Sequence, residues 1–165
     1  MIVDKEIGGC INTVEGERKA VSFSLAMLDS GAYTHCCPPS FRPDIELLPP
    51  NSDLKLNAAN GSLLKIYGRK MVPVLLKSTT GEILKVTIRF VVTDVTKPIL
   101  SVPVLKESGY DVTFSNKGSF IEKSERRVML EQCGRVYNVR LTHSSGGGEV
   151  CDIEAWPSRI SRTMR

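Results

Sequence analysis

The stretch Leu25-Ala26-Met27-Leu28-Asp29-Ser30-Gly31-Ala32 decides how this chain folds. From Ala20 to Leu28 the residues alternate and then become continuously apolar, as a strand entering a core does. Asp29 ends that run. Ser30, Gly31 and Ala32 then turn the chain with little bulk, and Gly31 permits a tight turn and a close backbone approach. Asp, Ser and Gly are also ordinary turn formers, so the tripeptide alone reads equally as a loop. Its surroundings decide between the two.

An acid in this position suits chemistry in which two carboxylates meet. Held close together they cannot both ionise, so they share one proton. One then takes a proton from water while the other donates to a carbonyl. A buried strand before the acid excludes water and strengthens each polar contact there. Asp-Ser-Gly occurs once and Asp-Thr-Gly not at all, so one chain supplies half of such a pair. Glu107-Ser108-Gly109 is not the other half, because Glu107 ends an expected helix and has no buried strand before it.

A length of 165 residues with 41% hydrophobic content is enough for one compact domain. A net charge of +4 is too mild to argue nucleic-acid binding. No apolar run approaches the roughly 20 residues that span a bilayer. Met1 to Gly9 lacks a basic segment followed by an apolar one, so neither a membrane anchor nor a signal peptide is expected. The expected setting is the cytoplasm, or a particle within the cell. The five cysteines, Cys10, Cys36, Cys37, Cys133 and Cys151, are odd in number and lack framework spacing, which favours free thiols. His35-Cys36-Cys37 suggests a metal site, but adjacent residues seldom converge on one ion. No Cys-x-x-Cys or His pair completes a tetrahedral set, so no metal and no cofactor is expected.

Outward from Asp29 the chain reads as short strands split by turn residues. Pro38-Pro39 and Arg42-Pro43-Asp44 mark a loop. Leu54 to Ala58 and Leu63 to Ile66 flank Asn60-Gly61, the strongest hairpin signal present. Gly68 is expected to break the return strand before Met71 to Leu76 resumes. Thr79-Thr80-Gly81-Glu82 turns into Ile83 to Val92, whose β-branched length predicts a central strand. Ile99 to Leu105 predicts a short helix that stops at Gly109. Val112 to Phe114 pairs with Ser119 to Ile121 through Asn116-Lys117-Gly118, and Val128 to Leu130 and Val136 to Leu141 add two strands. The domain so defined runs over 20–141. An extension over 1–19 precedes it, and a flexible tail over 142–165 follows, with Gly146-Gly147-Gly148 as a joint.

Taken together, these motifs resemble the retropepsin-like aspartic proteases of copia-type retrotransposon polyproteins. Asp29-Ser30-Gly31-Ala32 with His35 looks like the family's Asp-Ser-Gly-Ala-x-x-His. Ala59-Asn60-Gly61-Ser62 followed by Ile66-Tyr67-Gly68-Arg69 resembles its flap hairpin and return strand. Pro98-Ile99-Leu100-Ser101-Val102 with Leu105 is similar to its core-closing segment and short helix. Ser108-Gly109-Tyr110-Asp111-Val112-Thr113-Phe114 looks like its Gly-Tyr-x-Val-x-Phe strand, and Gly134-Arg135-Val136-Tyr137 like a strand just downstream. The order and spacing, from about Ser22 to Leu141, are more specific than any single motif. The resemblance implies an all-β, closed retropepsin-like barrel with one short helix, acting as a homodimer on polypeptide. Nucleic acid would be reached only through neighbouring polyprotein regions. Asp29, Ser30 and Gly31 would be the catalytic residues. Ala32, Asn60, Gly61 and Ser62 would contact an extended peptide beneath closing flaps. Many retropepsins carry Gly where Ser101 stands, which would widen the crossing, although copia-type sequences commonly carry Ser here and the fold is expected to stay intact.

Other residues read more plainly. Aspartic chemistry needs no imidazole, so His35 is expected to be structural. Tyr67 is expected either in a hydrogen bond within the hairpin or as a half-buried strand residue. Lys65, Arg69 and Lys70 fit a solvated strand edge as well as they fit a partner-binding patch. Two further readings of the whole chain stay open on the sequence. One is a retropepsin-fold module that dimerises or binds peptide without cutting, and the other is a metal-binding β-domain.

Overall fold

The computed structural model describes residues 21–144. The expected 1–19 extension, Cys10, Cys151, the triple glycine and the arginine-bearing end of the tail lie outside the described residues.

Twelve strands and one helix order the described chain. Strand β1, Val21–Asp29, is the apolar run that ends at the acid. After the Asp29 loop comes β2, Cys36–Cys37, then a long irregular segment and the small hairpin β3, Leu56–Asn57, and β4, Leu63–Leu64. The two long strands β5, Ile66–Lys77, and β6, Ile83–Thr93, form the main hairpin. Next come β7, Ile99–Ser101, and the helix α1, Val102–Glu107. Strands β8, Asp111–Thr113, β9, Phe120–Lys123, and β10, Arg126–Met129, make a separate three-stranded sheet. The chain closes with β11, Glu131–Cys133, and β12, Val136–Ser144.

The pairings of the main sheet form a ring. In the order β1-β7-β2-β6-β5-β12, each strand bonds the next, and β12 returns antiparallel to β1. Even-numbered side chains of β5 and β6 point inward, as a period of two requires. Val72, Val74, Leu76, Leu84, Val86, Ile88, Phe90 and Val92 are all buried, and Val139 and Leu141 of β12 complete the same core. A smaller cluster lies elsewhere: Cys36, Leu56 and Val91, with Leu54, Leu64, Ile66, Val95 and Ile99 packed against them. It seats the β3–β4 hairpin on the strands nearest Asp29. The fold is therefore all-β with one short helix. No helix among the described residues is long and apolar enough to cross a membrane.

Several local expectations change. Gly68 does not break the strand, because β5 runs through it with a register shift between Ile66 and Gly68. Glycine is required there by proximity: a Cβ would stand 2.3 Å from the Leu48 carbonyl oxygen. Leu48 and Arg69 exchange both backbone hydrogen bonds, at 2.8 and 3.0 Å, and so bring that carbonyl close. The expected helix from Ile99 begins only at Val102, because Ile99–Ser101 is taken into the sheet. Gly109 ends the helix with φ +89°. Strand β12 continues to Ser144, past the expected domain end at Leu141, because β1 supplies partners for Thr142 and His143.

Candidate functional site

Asp29 stands at the C-terminal end of β1. Its neighbour in the parallel register is Ser101, the last residue of β7. Strand β7 is inserted between β1 and β2, which are themselves joined by the Asp29 loop. The loop therefore arches over the end of β7.

Each part of the loop has a partner. Asp29 Oδ1 accepts the Gly31 N–H at 2.7 Å, which orients the carboxylate. A Cβ on Gly31 would lie 3.3 Å from that same oxygen, so a larger residue would crowd it. The Ser101 hydroxyl donates to the Ala32 carbonyl at 2.6 Å. The Ser101 N–H donates to His35 Nδ1 at 2.9 Å. The Val91 N–H donates to the His35 carbonyl at 2.9 Å, and the Met27 N–H to the Pro98 carbonyl at 3.0 Å. Asp29 is half-buried and Ser30 exposed. No salt bridge among the described residues engages Asp29.

His35 is structural at this point of the fold. Its ring packs tilted against Phe90, with centroids 6.3 Å apart. Burial holds its pKa down to about 4, so the imidazole is neutral and Nδ1 is free to accept. Cys36 and Cys37 point to opposite faces, one into each apolar cluster. Burial, helped by the Asp29 charge, pushes the Cys36 thiol up to about 11, and burial pushes Cys37 to about 12. Both are therefore protonated and unreactive as nucleophiles. No three His, Cys, Asp or Glu side chains among the described residues converge as metal ligands would.

Asn60, Gly61 and Ser62 form the tip of the β3–β4 hairpin, all exposed. Asn60 Oδ1 accepts the Ser62 N–H at 3.0 Å and the Ser62 hydroxyl at 2.6 Å. Gly61 has φ +84°, and its N–H bonds the Ala58 carbonyl at 2.9 Å. No hydrogen bond among the described residues joins the tip to the Asp29 loop. The two are linked at the hairpin base, where Leu56 and Leu64 share a cluster with Ile99 of β7. Tyr67 reaches out of the hairpin, donating to Asp94 Oδ1 at 2.7 Å.

Sequence reasoning missed three features here. Ser101 is fully buried, and its hydroxyl bonds the Asp29 loop across the crossing. The readable signal was Ser before Val102-Pro103, an N-cap ahead of an early helical proline. Its hydroxyl accepts the Val104 N–H at 3.3 Å. Tyr33, in the loop that follows Asp29, is 77% exposed. The basic cluster also divides. Lys70 is buried, donating to the Phe41, Arg42 and Pro39 carbonyls at 2.8, 3.1 and 3.2 Å. A cavity of about 460 Å³ beside it is lined by Pro39, Pro43, Asp44, Ile45, Leu47 and others, and none of them belongs to the Asp29 loop.

No protein-family model, curated protein or solved structure matches this chain.

Proposed function

We propose that this chain is a retropepsin-like aspartic endopeptidase that works as a homodimer and cuts polypeptide, first of all the retrotransposon polyprotein to which it belongs. One observation carries the reading. A half-buried carboxylate with no cation partner among the described residues stands at the end of a core strand, aimed by the Gly31 amide, in a loop held over an inserted strand. The Gly31 bond occupies Oδ1 as in an ordinary Asx turn, and Oδ2 has no partner among the described residues. The carboxylate is positioned and left available.

Two-carboxylate chemistry then requires a second copy, and a twofold axis beside the loop brings a partner's acid to the first. The exposed Ser30 hydroxyl has no bond among the described residues and would bridge that junction. One carboxylate removes a proton from water as the oxygen attacks the scissile carbonyl. The other gives its proton to the carbonyl oxygen. Collapse of the tetrahedral species returns a proton to the leaving amine. The 56–64 hairpin closes over the peptide and excludes water, and the peptide backbone is held in strand-like fashion.

The test is self-processing of a fusion that carries the chain with its flanking sequence, at about pH 6. Asp29→Asn keeps an oxygen for the Gly31 N–H and removes the acid, so cleavage should fall at least about 10³-fold with folding intact. Equal cleavage by both fusions, or none by the parent at high protein concentration, would sink the proposal.

A further inference from the structure

We infer that Ser101 and His35 are positioning residues for Asp29, fixing the loop so that its carboxylate occupies one place relative to a partner's. What the loop does rests on the protease reading above. How it is held rests on the hydrogen bonds alone.

Ser101 has no exposed surface, and its hydroxyl and backbone N–H are both bonded. Its hydroxyl meets a carbonyl at Ala32, which can only accept, so the hydroxyl proton is committed there. A lone pair of the same oxygen then faces the Val104 N–H. Its backbone N–H is committed to His35 Nδ1. Since Nδ1 accepts, Nε2 carries the ring proton. The loop is thereby gripped in its middle, at residue 32, and at its end, at residue 35. Both grips lead to one residue, which the helix N-terminus and the sheet hold in turn. The Gly31 N–H sets the carboxylate on that fixed loop. Neither side chain bonds the Asp29 carboxylate among the described residues, so both act through the backbone. Glycine at 101 would keep the strand and lose both hydroxyl bonds. Serine there is a second fastening of the acid.

Ser101→Ala removes the hydroxyl and keeps the N–H bond to His35. Its kcat should fall about tenfold or more with KM unchanged, as expected when a reacting group is misplaced. Amide hydrogen exchange at residues 30–34 should quicken at least about tenfold, while β5 and β6 stay as in the parent. Ser101→Gly serves as the second variant should the alanine chain fail to fold. His35→Asn offers an amide oxygen where Nδ1 stands and should behave like the parent, whereas His35→Leu should behave like Ser101→Ala. Unmoved loop exchange in Ser101→Ala, quickening spread evenly over all amides, or identical behaviour of the Asn and Leu variants would overturn the inference. Exchange is measured on the folded chain whether or not it cuts. A parent that cleaves nothing therefore overturns the protease reading, and unmoved loop exchange overturns this one.

Discussion

The Asp29 loop and the hairpin tip at 58–62 are both short turns built from small and polar residues, yet the fold treats them oppositely. The Asp29 loop bonds at residues 32 and 35 to Ser101, a residue with no exposed surface. Among the described residues the tip bonds only within itself, through Asn60, Ser62 and the Ala58 carbonyl. Turn chemistry sets the local shape of both. Whether a turn is rigid depends on bonds to buried neighbours, and those come from elsewhere in the chain. On the proposed dimeric protease reading that division would suit the work: the acid would need to be fixed to meet a partner's, and the hairpin would need to move to admit a peptide.

The comparison can be broken from its anchored side first. Phe90 lies fully buried against both His35 and Phe41, with centroids 5.5 Å apart in the second pair. Phe90→Ala should cost about 3–5 kcal/mol in urea unfolding and loosen the Asp29 loop, leaving exchange at the tip unchanged. Faster exchange at the tip alone would contradict the assignment of roles.

Acid should act on the same side. Both histidines of the chain are held down to about 4 from an ordinary 6.5. Burial is the main cause for each, and the Arg42 charge adds to it at His143. His143 Nδ1 faces an Arg42 N–H at 2.9 Å and its Nε2 faces the Ser24 hydroxyl at 3.0 Å, so it too is bonded as the neutral ring. A depressed folded-state pKa means that the unfolded chain binds the proton first. The stabilisation is complete above pH 6.5 and is lost as pH falls through 4. About 2 kcal/mol of each contribution is gone by pH 5. Urea unfolding at pH 7 and pH 5 should show the drop, and NMR titration of the two rings should place both near 4. Rings that titrate near 6.5 would show that these bonds do not hold. The same arithmetic favours pH 6 over lower values for the cleavage assay.

A smaller effect is expected between the two regions. Gly68 lies where the hairpin returns to the sheet, and a Cβ would press on the Leu48 carbonyl. Gly68→Ala should cost about 1–3 kcal/mol by forcing the backbone to shift. It should also disturb the Leu48–Arg69 pairing, visible as faster exchange of both amides. An unchanged melting temperature would mean that the segment at Leu48 yields freely.

The smallest change sharpens the contrast. Gly61→Ala puts a side chain at φ +84° with open space around it, so the cost is conformational only, about 1 kcal/mol. Asn60→Ala removes both bonds from its amide oxygen at a similar cost. In either variant KM should move more than the unfolding free energy does. A large stability loss would mean that the tip is anchored by contacts beyond its own.

Much of this was legible in the residues. Alternation and apolar runs marked β1, β5 and β6, because a side-chain period of two repeats along the strand itself. Asn60-Gly61, Thr80-Gly81 and Lys117-Gly118 marked turns because glycine there relieves a local steric problem. The acid at the strand end and its glycine were visible for the same reason. β7 was read as helix, since three apolar residues carry no period and only an open edge between β1 and β2 makes them a strand. The two-residue β2 and the short β11 escaped for a similar reason, having too few residues to show a pattern. Lys70 looked like a surface lysine until three loop carbonyls closed around it.

By itself the sequence determined that the chain is all-β, where its main turns lie, and that one carboxylate sits at the end of a buried strand. These are properties of neighbours along the chain, governed by side-chain period and backbone sterics. Only the tertiary structure decided that Ser101 and His35, distant from Asp29 or set apart by a turn, grip its loop, and that Asn60 and Gly61 are left with no hydrogen bond to it. Hydrogen-bond partners are chosen by which strands the fold inserts side by side, and β7 between β1 and β2 is a choice that no local pattern records.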